Sequence, residues 1–131
     1  MVNKKFRVDK VNMCREELLE EFRTILLACG EETCFYCMKK LRKNHVDHFI
    51  PWSYVQNDVL WNFVLACPSC NSSKNNKLAH PRFLERLIER NEMVLHERMD
   101  SYYVEKLKDM YDFAVQNGFP SGWEPINSIQ N

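Results

Sequence analysis

The sequence predicts a single α+β domain: one amphipathic helix, a middle segment of short strands closed by a short helix, and further helices behind it. Three observations lead there. The chain has 131 residues, 45% hydrophobic and 27% charged, with 3 Gly and 5 Pro. That is the length of one domain with a sizeable core, and the composition excludes a disordered tail, a collagen-like fibre and a low-complexity linker. Apolar residues recur with a helical period in two stretches separated by about half the chain. Between them the texture changes to short apolar runs broken by Cys, Asn, Pro and Ser. We therefore read the single domain as an N-terminal helical flank at 1–30, a distinct core at 31–80 and a C-terminal helical extension at 81–131.

The first helix lies near 15–29. Leu18, Leu19, Phe22, Ile25, Leu26 and Cys29 fall on one face, Glu16, Glu17, Glu20 and Glu21 sit in early turns where the helix dipole favours acids, and Gly30 stops it. Val46, Phe49 and Ile50 suggest a strand ended by Pro51, and the run from Trp61 to Ala66 a second strand. Pro68 followed by small polar residues suits the opening of a short helix within 68–77. Pro81 begins a helical run carrying Phe83, Leu84, Leu87, Ile88, Val94 and Leu95 on one face. A second run has Tyr103, Leu107, Met110, Tyr111 and Ala114 at helical spacing and ends at Asn117-Gly118, after which Phe119 and Trp123 anchor an irregular tail. Core packing accounts for these faces better than an aromatic binding box. The face at 102–115 would serve equally as a homodimer surface.

Global charge is uninformative, with 18 Lys and Arg against 18 Asp and Glu. Its distribution is not: residues 34–80 carry 6 basic and 2 acidic side chains. No stretch reaches the roughly 18 consecutive apolar residues of a membrane span. Met1 to Lys10 is basic but lacks the apolar run of a secretory signal, so a cytoplasmic protein with reduced thiols is expected. In that setting the sequon-like Asn71-Ser72-Ser73 carries no meaning.

Cys34-Phe35-Tyr36-Cys37 and Cys67-Pro68-Ser69-Cys70 are two C-x2-C pairs separated by 29 residues. Each spacing lets two sulfurs converge on one ion from a tight knuckle, and four thiolates complete a closed tetrahedral zinc site. Such a site leaves no position open for substrate, so its role is structural. Ordinary buried cysteines, or a redox pair, explain two such pairs poorly. Cys14 and Cys29 lack a partner pattern and read as small buried apolar residues.

Between and after the pairs lie Asp47-His48-x-x-Pro51, a central Asn62, and Cys67-x-x-Cys70-Asn71-x-x-Lys74. These three blocks, in this order inside two C-x2-C pairs, resemble the HNH nuclease family in its zinc-knuckle form, over about 34–77. The resemblance implies the ββα-metal (His-Me finger) fold: a two-strand hairpin, a helix packed across it, and one divalent ion between them, flanked here by the α-helices. It implies that the first strand ends at Asp47-His48, that Asn62 lies in the connecting loop or at the start of the second strand, and that the short helix carries Asn71.

Elementary chemistry agrees with the implied roles. His48 accepts a proton near neutral pH and suits a general base. Asp47 and Asn71 offer hard oxygen ligands to Mg²⁺ or Mn²⁺, which keep several waters and need few protein ligands. On a regular strand Asp47 points away from His48, so the resemblance implies that the backbone turns there. Asn62 resembles the family's middle Asn, expected to hold the loop and orient the His48 ring; His48 and Asn62 are thus the expected catalytic residues. Where the family name has its final His, this chain has Asn71, and an amide oxygen favours Mg²⁺ or Mn²⁺ over softer ions. Lys74, one turn beyond Asn71, is expected to contact a phosphate, as is the basic run Lys39, Lys40, Arg42 and Lys43.

The remaining polar and aromatic residues take plainer readings. His45 is exposed or near substrate, His80 sits in a turn and His96 on a helix surface. Asn57-Asp58 makes a turn, and Trp52, Tyr54 and Trp61 pack around the hairpin. The function expected is a metal-dependent endonuclease acting on DNA, nicking once per module; a double-strand break needs a homodimer, a partner subunit or two events. The rivals are a zinc-stabilised nucleic-acid-binding module without catalysis and, more remotely, a redox protein.

Overall fold

The computed structural model describes residues 15–51, 59–95 and 102–126. The expectations for Met1 to Lys10, Cys14, Trp52, Tyr54, Asn57, Asp58 and His96 lie outside the described residues, as does the tail beyond 126.

Helix α1, Arg15–Ala28, ends where Gly30 takes φ 89°, a conformation open to a residue without Cβ. Its Phe22 and Leu26 are buried and Leu19, Ile25 and Cys29 half-buried, as the periodicity demanded. The chain then makes a tight loop closed by an antiparallel bridge between Thr33 and Lys40, with Cys34 and Cys37 at its tip. Strands β1, His45–His48, and β2, Phe63–Ala66, form one antiparallel hairpin in which His45 faces Ala66, Asp47 faces Val64 and His48 faces Phe63. Helix α2, Pro68–Lys74, starts with Pro68 in its first turn and packs on β1.

Both strands are shorter than expected, for one reason. The Asn62 side chain accepts from the Ile50 N–H at 2.9 Å and donates to the Ile50 carbonyl at 3.1 Å. This amide takes up both backbone groups a longer strand would have paired, so Phe49 and Ile50 form a bend. On the opposite arm, Leu60–Asn62 is a 3₁₀ turn rather than the start of the second strand, closed by Asn62 N–H to the Val59 carbonyl at 3.0 Å.

The hairpin is buried on both faces, which is why β2 reads Phe-Val-Leu-Ala without polar alternation. Val64 and Ala66 point into the main core with Tyr36, Phe49, Leu78, Phe83, Leu107 and Tyr111. Phe63 and Leu65 point into a smaller core with Phe22 and Leu26 of α1 and with Leu60 and Leu95.

Helix α3, Pro81–Arg90, is opened by the His80 ring, whose Nδ1 accepts from the Arg82 N–H at 3.1 Å. It runs into a π-helical turn, Asn91–Leu95. Helix α4, Tyr103–Gln116, buries Tyr103, Leu107, Tyr111 and Ala114, so the face that suited a homodimer is directed into the molecule's own core. The final strap returns to α2: Trp123 bridges Ala79 in parallel, and its indole N–H donates to the Ser73 hydroxyl at 2.9 Å. The described residues form a mixed α+β fold around one two-stranded sheet, in which the C-terminal helices share the core of the hairpin. No helix among them is long and apolar enough to cross a membrane.

Candidate metal centres and active site

The four expected cysteines converge. The Sγ atoms of Cys34, Cys37, Cys67 and Cys70 lie within 4.8 Å of one another, with Cys37 and Cys67 at 3.9 Å. Zn–S bonds of about 2.3 Å arranged tetrahedrally put sulfurs about 3.8 Å apart, so a small inward shift of the sulfurs suffices to hold zinc. Backbone geometry makes each knuckle. Met38 N–H donates to the Cys34 carbonyl at 3.0 Å, while Met38 itself takes φ 68° to turn the chain back. In the second knuckle Cys67 caps α2, its sulfur accepting from the Cys70 N–H at 3.4 Å. The crowded sulfurs share protons unequally. A hydrogen bond from Cys70 lowers the Cys34 thiol from 9.0 to about 4, and the same bond raises Cys70. One thiol is thereby favoured as thiolate, while burial raises Cys37 and the bond to Cys34 raises Cys70, so a zinc ion would bind by displacing protons from those sulfurs. Arg86 of α3 braces the first knuckle, donating to the Phe35 carbonyl at 2.7 Å and lying over the Phe83 ring.

Asp47 is the next element of the site. It is 7% exposed, on the side of β1 that faces α2. The Tyr36 hydroxyl donates to its Oδ2 at 2.5 Å, and the Lys74 ammonium lies 3.2 Å from the same oxygen. That ammonium also donates to the His48 carbonyl at 3.0 Å and sits 5.9 Å from the centre of the Tyr36 ring. Lys74 is fully buried, so the expected phosphate contact is not made: the side chain runs inward across α2 and answers a buried carboxylate instead. Burial lowers the Lys74 pKa, against the pull of Asp47. Burial, then the Asp47 charge, raises the Tyr36 hydroxyl well above 10.0, so the phenol remains a donor.

His48 ends β1, half-buried, its ring edge-on to Phe63 with centroids 4.8 Å apart. Here the structure departs from the expected backbone turn at Asp47-His48. Both residues belong to a regular ladder, so their side chains leave on opposite faces, Asp47 with Val64 and His48 with Phe63. The chain turns only at Phe49. Asn62 is fully buried and directed at Ile50, holding the bend that follows His48 by its backbone. Asn71 is half-buried on α2, one residue after the last cysteine. Lys39, Lys40, Arg42 and Lys43 are all exposed on the loop between the first knuckle and β1. His45 is half-buried opposite Ala66, and Trp61 is half-buried, packed against the core and tilted on Tyr103.

Two residues near the site escaped the sequence reading. Tyr36 is one of the two residues between the cysteines of the first knuckle, where nothing in the C-x2-C spacing announces a hydrogen bond to Asp47. Arg90 donates to Glu31 at 2.5 Å and to the Phe63 carbonyl at 2.5 Å, tying α3 to the end of α1 and to the strand carrying the His48 partner. An arginine on an otherwise amphipathic helix gives no hint of that in sequence.

No curated protein matches the chain. Residues 34–77, the stretch from the first knuckle through β1, β2 and α2, match the family model for HNH endonuclease, which supports a nuclease-type or nucleic-acid-related role.

Proposed function

We propose that the protein is a metal-dependent endonuclease that hydrolyses DNA phosphodiester bonds, with His48 as general base and Asp47 and Asn71 as ligands of one Mg²⁺ or Mn²⁺ ion. The observation that carries this reading is the convergence of three sequence-distant blocks on one ββα unit. Asp47-His48 close β1, Asn62 fastens the bend after it, and Asn71 rides on the helix packed against it. The matched family supports the same assignment.

The donor set fits a hard cation: a carboxylate and an amide oxygen, with no sulfur or imidazole among them. A divalent ion held there supplies charge to the phosphate oxygens and to the leaving oxygen. The chain's own groups do the rest. His48 takes a proton from the attacking water. Because Asp47 and His48 leave the strand on opposite faces, a water within reach of both must lie beyond the end of the ladder, at the His48–Phe63 pair. Asn62 holds the backbone there and so fixes where the imidazole begins. The exposed Lys39, Lys40, Arg42 and Lys43 bind the phosphate backbone without reading sequence, giving an affinity that falls with salt.

The second reading, a zinc-stabilised module that binds nucleic acid without cutting it, is favoured by one observation: Lys74 already neutralises Asp47. A supercoiled-plasmid assay with Mg²⁺ or Mn²⁺ separates the two. The endonuclease nicks, and His48→Ala lowers the rate by about 10²–10⁴-fold with zinc content and thermal unfolding intact. DNA binding without nicking in either metal gives the module.

A further inference from the structure

Both contacts to the Asp47 carboxylate fall on one oxygen. Tyr36 and Lys74 reach Oδ2, from the first knuckle and from α2 respectively. Two donors from separate elements fix the plane of a carboxylate and hence the direction of its other oxygen. The donors differ in what they do to a neighbouring cation. The Lys74 ammonium repels one, whereas the Tyr36 phenol orients the carboxylate without adding positive charge.

Tyr36 is itself rigid. It lies between Cys34 and Cys37, and its ring meets Phe35, Phe83 and Trp123 edge-on at 5.1, 5.5 and 5.0 Å between centroids. It is 1% exposed. A residue held by two cysteines of the sulfur cluster is thus bonded directly to the carboxylate on β1.

We propose that Tyr36 is a positioning residue for the divalent-cation site: the zinc knuckle holds its hydroxyl against Asp47 Oδ2 and so presents Oδ1 to the hard cation. The inference rests on the endonuclease reading of Asp47. It makes the sulfur cluster more than a fold staple, because the order of the knuckle sets the affinity of the oxygen site. Outer partners of metal ligands commonly contribute about 10–100-fold to metal affinity.

The test is Mn²⁺ binding to the zinc-loaded protein, followed by electron paramagnetic resonance and independent of turnover. Tyr36→Phe keeps the ring contacts and removes only the hydroxyl. The expected result is Mn²⁺ affinity weakened about 10-fold or more, with zinc content and DNA affinity unchanged. Wild-type Mn²⁺ affinity in the variant, while Asp47→Asn abolishes binding, overturns the role of Tyr36 and leaves the endonuclease reading standing. Wild-type protein that neither binds Mn²⁺ through Asp47 nor nicks DNA overturns both. Should the variant lose zinc, a Mg²⁺ titration of ring-labelled tyrosine in the wild type decides: Tyr36 resonances that shift with the occupancy of the Asp47 site support the inference, and resonances that stay still while Mg²⁺ binds overturn it.

Discussion

At the four cysteines the backbone alone brings the ligands together. Two knuckles, each closed by its own local hydrogen bonds, place four sulfurs at zinc-like separation. At Asp47 the situation is reversed. The carboxylate is placed by tertiary packing, and protein groups answer it: a phenol from the knuckle and an ammonium from α2. The sulfur site is a closed set of like ligands, built to be filled once. The oxygen site is a charge balance, with a cation of the protein's own already beside it. Four like ligands at fixed spacing can rest on local geometry, whereas a buried carboxylate needs its charge answered by the groups packed around it.

The largest effect should come from the sulfur side. Structural zinc in small domains contributes apparent binding energies on the order of 10 kcal/mol, which is also folding energy. Cys70→Ser, or stripping with a strong chelator, should abolish cooperative unfolding of the domain, measured by circular dichroism alongside zinc content. If the zinc-free protein unfolds cooperatively at an unchanged midpoint, the sulfurs are not a structural centre and the contrast with Asp47 disappears.

This division also explains what the sequence made legible. C-x2-C is a statement about backbone geometry, because its spacing encodes the knuckle, so the sulfur cluster could be read directly. Helix faces were equally readable: Phe22 and Leu26, or Leu107 and Tyr111, follow from period alone. The strand ends were not, since Asn62 competes with the ladder for Ile50 and a side chain twelve residues away leaves no periodic trace. Lys74 failed for a related reason. A lysine one turn beyond Asn71 looks like a phosphate contact until the packing of α2 on β1 puts its ammonium over the Tyr36 ring and against the His48 carbonyl. The opposite faces of Asp47 and His48 were the default for a strand, and the resemblance argued for a turn that the ladder does not make.

The next effect tests the charge balance itself. Removing one member of a buried ion pair typically costs about 3–5 kcal/mol, because the other charge is left without a partner. Lys74 is 0% and Asp47 9% exposed at the side chain, so Lys74→Met should destabilise by about that amount in thermal or denaturant unfolding. The double change with Asp47→Asn should recover much of the loss, since both charges are then gone. A neutral Lys74→Met would mean that Asp47 is hydrated in solution and needs no internal cation, making it a more open ligand than the packing indicates.

The smallest effect is a pH dependence in which the two donors on Asp47 oppose each other. Burial lowers Lys74 below its ordinary 10.5, so in the fold it loses its proton earlier than in the unfolded chain. Between those two values the unfolded chain holds the extra proton, and stability rises with pH. The buried phenols run the other way. Burial raises Tyr36 and Tyr111 above 10.0 and pushes Tyr103 up to about 12. Above 10.0 the unfolded chain releases protons that the fold keeps, so stability is lost as pH climbs, across the window from 10.0 to about 12 for Tyr103. The zinc-loaded protein should therefore gain stability on the approach to pH 10 and lose it beyond, in denaturant midpoints taken across that range. Lys74→Met should lack the rising limb, and Tyr36→Phe should flatten the falling one. Phenolate absorbance should rise late and together with unfolding; a phenolate signal that develops fully before the protein unfolds would place Tyr36 in contact with solvent and release Asp47 from the knuckle.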